Sequence, residues 1–195
     1  AGQAVIEALR AEGVEYTFGI VGTTTNSIVT EMYGRDDIKF VDSRHEEGAA
    51  FMAYGYARAS GKPTACITTS GPGTINLATG VALAWKGRAP VMVIAGDVAR
   101  DYIYRDGAQA FDLVEIFRPF TKLARQVNKS ERIAIHVRFR GGRQPQRPVT
   151  GILQSDAHQL DAVIPGRYKV RHFCRQRQAG MFPFDGQPPP HCSTT

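Results

Sequence analysis

The chain has 195 residues, three cysteines and a formal net charge of +6 at pH 7, and this length is enough for one domain with a buried core. No apolar run approaches the roughly 20 residues of a membrane-spanning helix, and the cysteines are too far apart for a zinc site or a disulfide framework. The sequence therefore predicts a protein of the cytoplasm without a membrane partner.

Charge and proline are unevenly distributed along the chain. Residues 1–132 carry 15 Lys and Arg against 15 Asp and Glu, whereas residues 133–195 carry nine against three and contain seven of the eleven prolines. Because the basic excess is confined to the later segment, and no zinc finger or aromatic-interleaved patch accompanies it, nucleic acid is not an expected partner. We predict a domain over residues 1–132 and an atypical basic, Pro-rich tail over residues 133–195.

Short apolar runs alternate with helical stretches through the first part of the chain. Strands are predicted at residues 16–21, 38–41, 65–68 and 91–95, and the main helices at residues 46–60 and 74–86. This alternation indicates an α/β domain whose parallel sheet is covered on both faces. After residue 129 the pattern weakens to a helix at residues 131–140 and strands at residues 148–153 and 162–164.

The loops that follow the predicted strands are expected to lie together. The carboxyl ends of parallel strands share one edge of a sheet, and ligands bind at that edge in α/β proteins. Residues 22–25, 43–46, 70–74 and 96–97 hold this position in the sequence. The carboxyl edge is therefore the predicted place of a ligand site.

Glu46, at the start of a helix rich in glycine and alanine, is the first candidate site residue. A carboxylate in a first turn is stabilised by free N–H groups and by the helix dipole, so helix stabilisation alone explains its position. The small residues that follow suit either plain tight packing or the close approach of a second subunit. His45 is expected to anchor the loop, and no metal ligands are predicted.

The second candidate is the turn Gly71-Pro72-Gly73, between a strand and a helix. Backbone N–H groups at such a turn can face an anion. It is not a P-loop, because no Gly-Lys-Ser/Thr follows. From the residues alone, a ligand-facing turn and a plain strand-to-helix connection are equally good interpretations.

Together these stretches resemble the N-terminal pyrimidine-binding domain of thiamine-diphosphate enzymes, particularly the acetolactate synthase-like group. The resemblance is carried in order by Phe18-Gly19-Ile20-Val21-Gly22, by Arg44-His45-Glu46-Glu47-Gly48-Ala49-Ala50-Phe51-Met52-Ala53, by Gly55-Tyr56-Ala57-Arg58-Ala59-Ser60-Gly61-Lys62-Pro63, by Thr69-Ser70-Gly71-Pro72-Gly73-Thr74 and by Pro119-Phe120-Thr121-Lys122. It covers residues 1 to about 132, and it implies a three-layer, Rossmann-like fold.

The resemblance also implies a role for Glu46, which matches the family's catalytic glutamate. That acid hydrogen-bonds a ring nitrogen of the cofactor's aminopyrimidine and favours its imino tautomer, whose nitrogen removes the thiazolium C2 proton. The cofactor is thereby prepared to attack a 2-keto acid. The further cofactor-binding residues that the resemblance implies are Gly71, Pro72, Gly73, Thr74 and Asn76.

The sequence also departs from the family. Relatives hold the diphosphate and Mg²⁺ in a separate C-terminal domain with a Gly-Asp-Gly…Asn motif, which does not occur here. The segment from Asp106 to Asp112 lacks the Phe-Gln-Glu common in acetolactate synthases, so that motif does not identify the glutamine expected near the substrate. Tyr54 stands where an acidic residue is frequent.

We therefore expect the N-terminal part of a carboligase or decarboxylase, a transferase or lyase for 2-keto acids, with little activity as this chain alone. The expected assembly is a homodimer or a complex with a diphosphate-binding subunit, and the alternative function is a non-catalytic binding or regulatory domain. For residues 133–195 the hypothesis is a frameshifted or truncated C-terminus, and the alternative is a divergent extension or linker.

Overall fold

The computed structural model describes residues 2–99, 102, 105, 107–129, 132–137 and 151–156, with only the backbone of residues 134, 135 and 151–156. The strands are β1 (Tyr16–Gly19), β2 (Lys39–Asp42), β3 (Thr64–Thr68), β4 (Val91–Asp97), β5 (Leu123–Val127) and β6 (Gly151–Asp156). The helices are α1 (Gly2–Ala11), α2 (Asn26–Thr30), α3 (Glu46–Ser60), α4 (Pro72–Ile75), α5 (Ala78–Lys86), α6 (Leu113–Phe117) and α7 (Ile133–His136). No helix within the described ranges is both long and apolar enough to cross a lipid bilayer.

The six strands form one parallel sheet in the order β2-β1-β3-β4-β6-β5. β3 and β4 are buried along their whole length, as expected for apolar runs in a sheet covered on both sides. Their register sets Cys66 beside Val93. The predicted parallel sheet is confirmed.

Two apolar clusters cover the two faces of the sheet. Ala65 and Ile67 of β3 pack with α1, α2 and α7, whereas Cys66 between them packs with α3, α5 and α6. This alternation follows from the two-residue period of a strand, which sends successive side chains to opposite faces. The α/β fold with three layers is thus confirmed.

The helix predicted over residues 74–86 is divided into α4 and α5. Between them, the Leu77 amide donates to the Thr74 carbonyl three residues back, at 3.0 Å, which tightens the chain into a turn. At this turn the Asn76 side chain donates a hydrogen bond to Glu46. The prediction of one continuous helix was therefore wrong, because the chain turns at residues 76 and 77.

Strand β6 lies within the segment predicted to be an atypical tail. It is hydrogen-bonded to β4 on one side and to β5 on the other, so β5 is joined to the sheet through it. The predicted strand at residues 148–153 overlaps β6, while the strand predicted at residues 162–164 lies outside the described residues. The limit at residue 132 stays a prediction, but at least one strand of the sheet comes after it.

Candidate functional site

The first part of the site is the beginning of α3. His45 caps the helix: its backbone is extended and its Nδ1 accepts a hydrogen bond from the Glu47 amide at 3.2 Å. This cap gives His45 a structural role, which with loop anchoring is what the sequence favours for it. Glu46 and Glu47 then form the acidic first turn, where the dipole of a 15-residue helix favours negative charge.

The Glu46 carboxylate has two different oxygens. Oε2 accepts a hydrogen bond from Asn76 Nδ2 at 3.0 Å. Oε1 faces Gly73, where an added Cβ would lie only 3.1 Å from it. Half-buried Glu46 is therefore held by Asn76 through one oxygen, and a glycine keeps space open beside the other.

The turn after β3 has a second glycine with a neighbour of its own. Gly71 has φ +62° and ψ −119°, and an added Cβ would lie 2.7 Å from the carbonyl oxygen of Gln109. The buried Ser70 hydroxyl donates to Gln109 Oε1 at 2.8 Å. Gln109, which the sequence motif did not identify, thus lies against the predicted turn.

The Thr74 hydroxyl is used within the turn. It donates to the Thr69 carbonyl oxygen at 2.7 Å and lies 3.2 Å from the Thr68 hydroxyl. Because the single proton of Thr74 goes to Thr69, Thr68 donates to Thr74. Both side chains are fully buried, so Thr74 fixes the shape of the turn from inside.

The loops after β1 and β3 and the end of β4 meet at the carboxyl edge, where the sequence predicts a ligand site. The hydroxyls of Thr24 and Thr69 are 3.1 Å apart. Glycine is required beside each, because a Cβ at Gly96 would overlap Thr24 and a Cβ at Gly22 would overlap Thr69. These contacts fix the two loops and the strand end relative to one another.

Asp97 stands at the same edge, at the end of β4, and is 2% exposed. Its Oδ1 accepts from the Val98 amide at 2.8 Å, and its Oδ2 accepts from Gln126 Nε2 at 2.9 Å. This pair could not be predicted from the sequence, because nothing in the spacing of residues 97 and 126 shows that they meet. Both carboxylate oxygens of Asp97 are occupied by protein donors.

The small residues of α3 serve two purposes. Its buried alanines pack against the sheet and α5, where a Cβ at Gly80 would overlap Ala50. Gly48 and Gly55, by contrast, are exposed and have nothing within 4 Å of an added Cβ. The exposed apolar side chains of the same two helices are Phe51, Met52 and Leu83, at 40%, 37% and 41% exposure, and we call these five residues the α3–α5 face.

The residues that the structure describes favour neither thiol chemistry nor metal binding. Burial raises the pKa of the Cys66 thiol to about 12, so this cysteine is poorly suited to act as a nucleophile. In the part of the chain that the structure describes, no group of three or more His, Cys, Asp and Glu could hold a metal ion. The Glu46 carboxylate, whose Oε1 accepts no hydrogen bond from the residues that the structure describes, is the chemically distinctive feature of the edge.

Comparison with known proteins agrees with this geometry. Residues 1–116 match the family described as thiamine pyrophosphate enzyme, N-terminal TPP binding domain. The chain is 40% identical over 131 residues to a probable acetolactate synthase large subunit of Methanocaldococcus jannaschii, a match that covers 67% of this chain and 22% of the relative. It is 42% identical over 120 residues to the acetolactate synthase isozyme 2 large subunit of Escherichia coli, which covers 62% and 22%.

A plant relative gives a similar match. The chloroplastic acetolactate synthase of Arabidopsis thaliana is 42% identical over 118 residues, covering 60% of this chain and 18% of the relative. The chain therefore spans about a fifth of the length of these relatives. By its sequence match and its fold, the chain belongs to the thiamine pyrophosphate enzymes, in which it corresponds to the N-terminal TPP-binding domain of acetolactate synthase-like proteins.

Proposed function

We propose that this chain binds the aminopyrimidine end of thiamine diphosphate and that Glu46 activates the cofactor for reaction with a 2-keto acid. The observation that carries the proposal is the Glu46 carboxylate, with Oε2 held by Asn76 and Oε1 beside the open space of Gly73. A carboxylate that only capped a helix would need neither a side-chain donor from another segment nor a glycine opposite it.

A carboxylate held in this way suits a heterocycle with nitrogen atoms at its rim. Gly71 and Pro72 set the course of the turn, Gly73 places no side chain against Glu46 Oε1, and Asn76 binds the other oxygen of the carboxylate. Thr74 contributes by holding the turn through its buried hydroxyl. When bound, thiamine diphosphate supplies a thiazolium carbon that adds to a keto carbonyl.

The part of Glu46 in this chemistry is to hold one proton at Oε1. A carboxyl oxygen that accepts from no other donor can share a proton with a ring nitrogen that faces it. The hydrogen bond from Asn76 keeps Oε2 occupied, so the proton is directed to the oxygen that faces Gly73. The class of reaction that we propose is carboligation or decarboxylation of a 2-keto acid, which makes the complete enzyme a transferase or lyase.

The diphosphate and Mg²⁺ are assigned in this proposal to another domain. The sequence has no Gly-Asp-Gly motif, and the described residues include no cluster suited to a metal ion. The chain alone is therefore expected to turn over little substrate. Measurable consumption of pyruvate by the purified chain, with thiamine diphosphate and Mg²⁺, would contradict this part.

The α3–α5 face supports an assembly in which a second polypeptide lies beside the site. Phe51, Met52 and Leu83 each expose apolar side-chain area on these two packed helices, and Gly48 and Gly55 would let a backbone approach closely. We propose that this face packs against a second copy of the chain or against a diphosphate-binding subunit. Sedimentation of the chain with and without that subunit distinguishes the two.

The test of the proposed role of Glu46 is the exchange of the thiazolium C2 proton with deuterated water. The chain is mixed with thiamine diphosphate, Mg²⁺ and a partner that carries the diphosphate-binding domain. We expect Glu46→Gln to slow the exchange by about 100-fold or more, because a positioned acid contributes at least that factor to proton transfer.

Glu47→Gln is the matched control, since it removes the neighbouring carboxylate of the same helix turn. It should leave the exchange rate within about twofold of the unsubstituted chain, a change near the limit of a surface substitution. Equal exchange rates in the Glu46→Gln and Glu47→Gln chains would show that the first turn of α3 acts only through its charge.

A further inference from the structure

We propose that Ser70 is a positioning residue that fixes the side-chain amide of Gln109 at the rim of the Glu46 site. This inference rests on the proposed function only in naming the site that Gln109 borders. The contact itself belongs to the chain without any ligand, and it joins two segments 39 residues apart.

The hydrogen bond between Ser70 and Gln109 joins a rigid group to an exposed one. Ser70 is completely buried at the end of β3, and its Oγ donates to Gln109 Oε1 at 2.8 Å. Gln109 is exposed, so water competes for its side chain and the amide would otherwise sample several rotamers. The buried hydroxyl is therefore the group that sets the direction of the amide.

Gly71 brings the backbone of Gln109 close enough for this bond. An added Cβ at Gly71 would lie 2.7 Å from the Gln109 carbonyl oxygen and 3.0 Å from its Cα. With φ at +62°, Gly71 also has a conformation that other residues rarely adopt. The turn thus lets Gln109 contact the segment that carries Ser70.

The orientation of the amide has a chemical consequence. In a primary amide the oxygen and the nitrogen are bonded to one carbon in one plane, so a bond at Oε1 fixes the direction of the NH₂ donor. Gly71, whose added Cβ would meet Gln109, and Gly73, whose added Cβ would meet Glu46, are two residues apart in the turn. Gln109 and Glu46 therefore lie along the same turn.

The experiment measures rotation about the Gln109 amide C–N bond by proton exchange NMR in the ¹⁵N-labelled chain, without cofactor. A hydrogen bond to a carbonyl oxygen strengthens the partial double bond of an amide, so it slows this rotation. We expect the two Nε2 protons of Gln109 to exchange about fivefold more slowly than those of exposed Gln3, from the usual net strength of one hydrogen bond.

Ser70→Ala should abolish this difference, and Ser70→Thr, which restores a hydroxyl, should recover it. Ser60→Ala is the control, because it removes a hydroxyl bond at the far end of α3 and should leave Gln109 unchanged. If rotation at Gln109 is as fast as at Gln3, or stays slow in Ser70→Ala, the proposal is wrong, even where that substitution lowers the unfolding temperature. Because no cofactor is present, this result is independent of whether the chain binds thiamine diphosphate.

Discussion

Glu46 and Asp97 are two carboxylates at the same edge of the sheet, with opposite surroundings. Asp97 is 2% exposed, and each of its oxygens accepts a hydrogen bond from the protein. Glu46 is half-buried, with one oxygen bonded to Asn76 and the other facing the space beside Gly73. A satisfied carboxylate holds structure together, whereas one left open is available to a ligand.

The two regions around these carboxylates also differ in how the chain builds them. The Glu46 region combines segments that follow β2 and β3, which are close in the sequence. The Asp97 region depends on Gln126 in β5, and β5 is joined to the rest of the sheet through β6. The Glu46 region is therefore built from the first part of the chain, whereas the Asp97 region also depends on residues 151–156.

Removal of β6 should produce the largest effect. A chain ending at residue 137 keeps α7 and leaves β4 and β5 without the strand between them, and we expect its free energy of unfolding to fall by more than about 4 kcal/mol. A chain ending at residue 163, the end of the compact unit, is the control. Denaturant unfolding of the two chains measures the difference, and equal stability would show that β6 does not complete the domain.

Substitution of each carboxylate by alanine separates structure from function. Asp97→Ala leaves the Val98 amide and the Gln126 amide without an acceptor and should cost about 2 kcal/mol of unfolding free energy. Glu46→Ala should cost about 0.5 kcal/mol, because it removes only a first-turn charge and one exposed hydrogen bond. Urea unfolding of both variants provides the measurement, and a larger loss for Glu46→Ala would reverse the comparison.

The thiol of Cys66 tests whether the core behind α3 is closed. Burial raises its pKa from 9.0 to about 12, so its thiolate fraction at pH 8 is about 1000-fold smaller than that of an ordinary thiol. We expect iodoacetamide to label the Cys66 peptide rapidly in urea and very slowly in the native chain, as followed by mass spectrometry. Similar labelling in both conditions would mean that the core under the proposed site opens freely.

A small pH effect is expected far from both carboxylates. Arg35 donates to Asp37 at 3.1 Å and lowers the pKa of that carboxyl below 3.8. The resulting stabilisation is present above about pH 4 and is lost as the pH falls through the lowered pKa. Asp37→Asn should remove this part of the acid dependence of the unfolding temperature, whereas substitution of the neighbouring Asp36 by Asn should retain it.

The strands of the sheet could be predicted from the sequence because local apolar runs determine them. Val91 to Ala95 lies in a strand that is buried on both faces, and a continuous apolar run of this kind is typical of a central strand in an α/β chain. Glu46 could be predicted as well, since its neighbours carry the family resemblance. The single helix predicted over residues 74–86 was wrong, since a turn at residues 76 and 77 divides it and local apolar spacing does not reveal that turn.

Contacts between distant segments could not be predicted in this way. Gln109 approaches the turn because Gly71 has no side chain, and Gln126 reaches Asp97 because β6 lies between β4 and β5. The sequence contains the residues of both pairs, but the strand order that brings them together is a property of the whole sheet. Only the folded arrangement identifies Ser70 as the partner of Gln109.

The central claim is that the space between Glu46 and Gly73 receives thiamine diphosphate. Calorimetric titration of the cofactor with Mg²⁺, in the presence of the diphosphate-binding partner, compares Gly73→Ala with Ser60→Ala, a control at the far end of α3. The Cβ at Gly73 would lie 3.1 Å from Glu46 Oε1 and 3.0 Å from Thr69 Cγ2, whereas the Ser60 hydroxyl donates to the Tyr56 carbonyl of its own helix. We predict that Gly73→Ala weakens binding by about tenfold or more, as expected for a loss of about 1.4 kcal/mol, and that Ser60→Ala leaves it unchanged. Unaltered affinity in the Gly73→Ala chain would contradict the account.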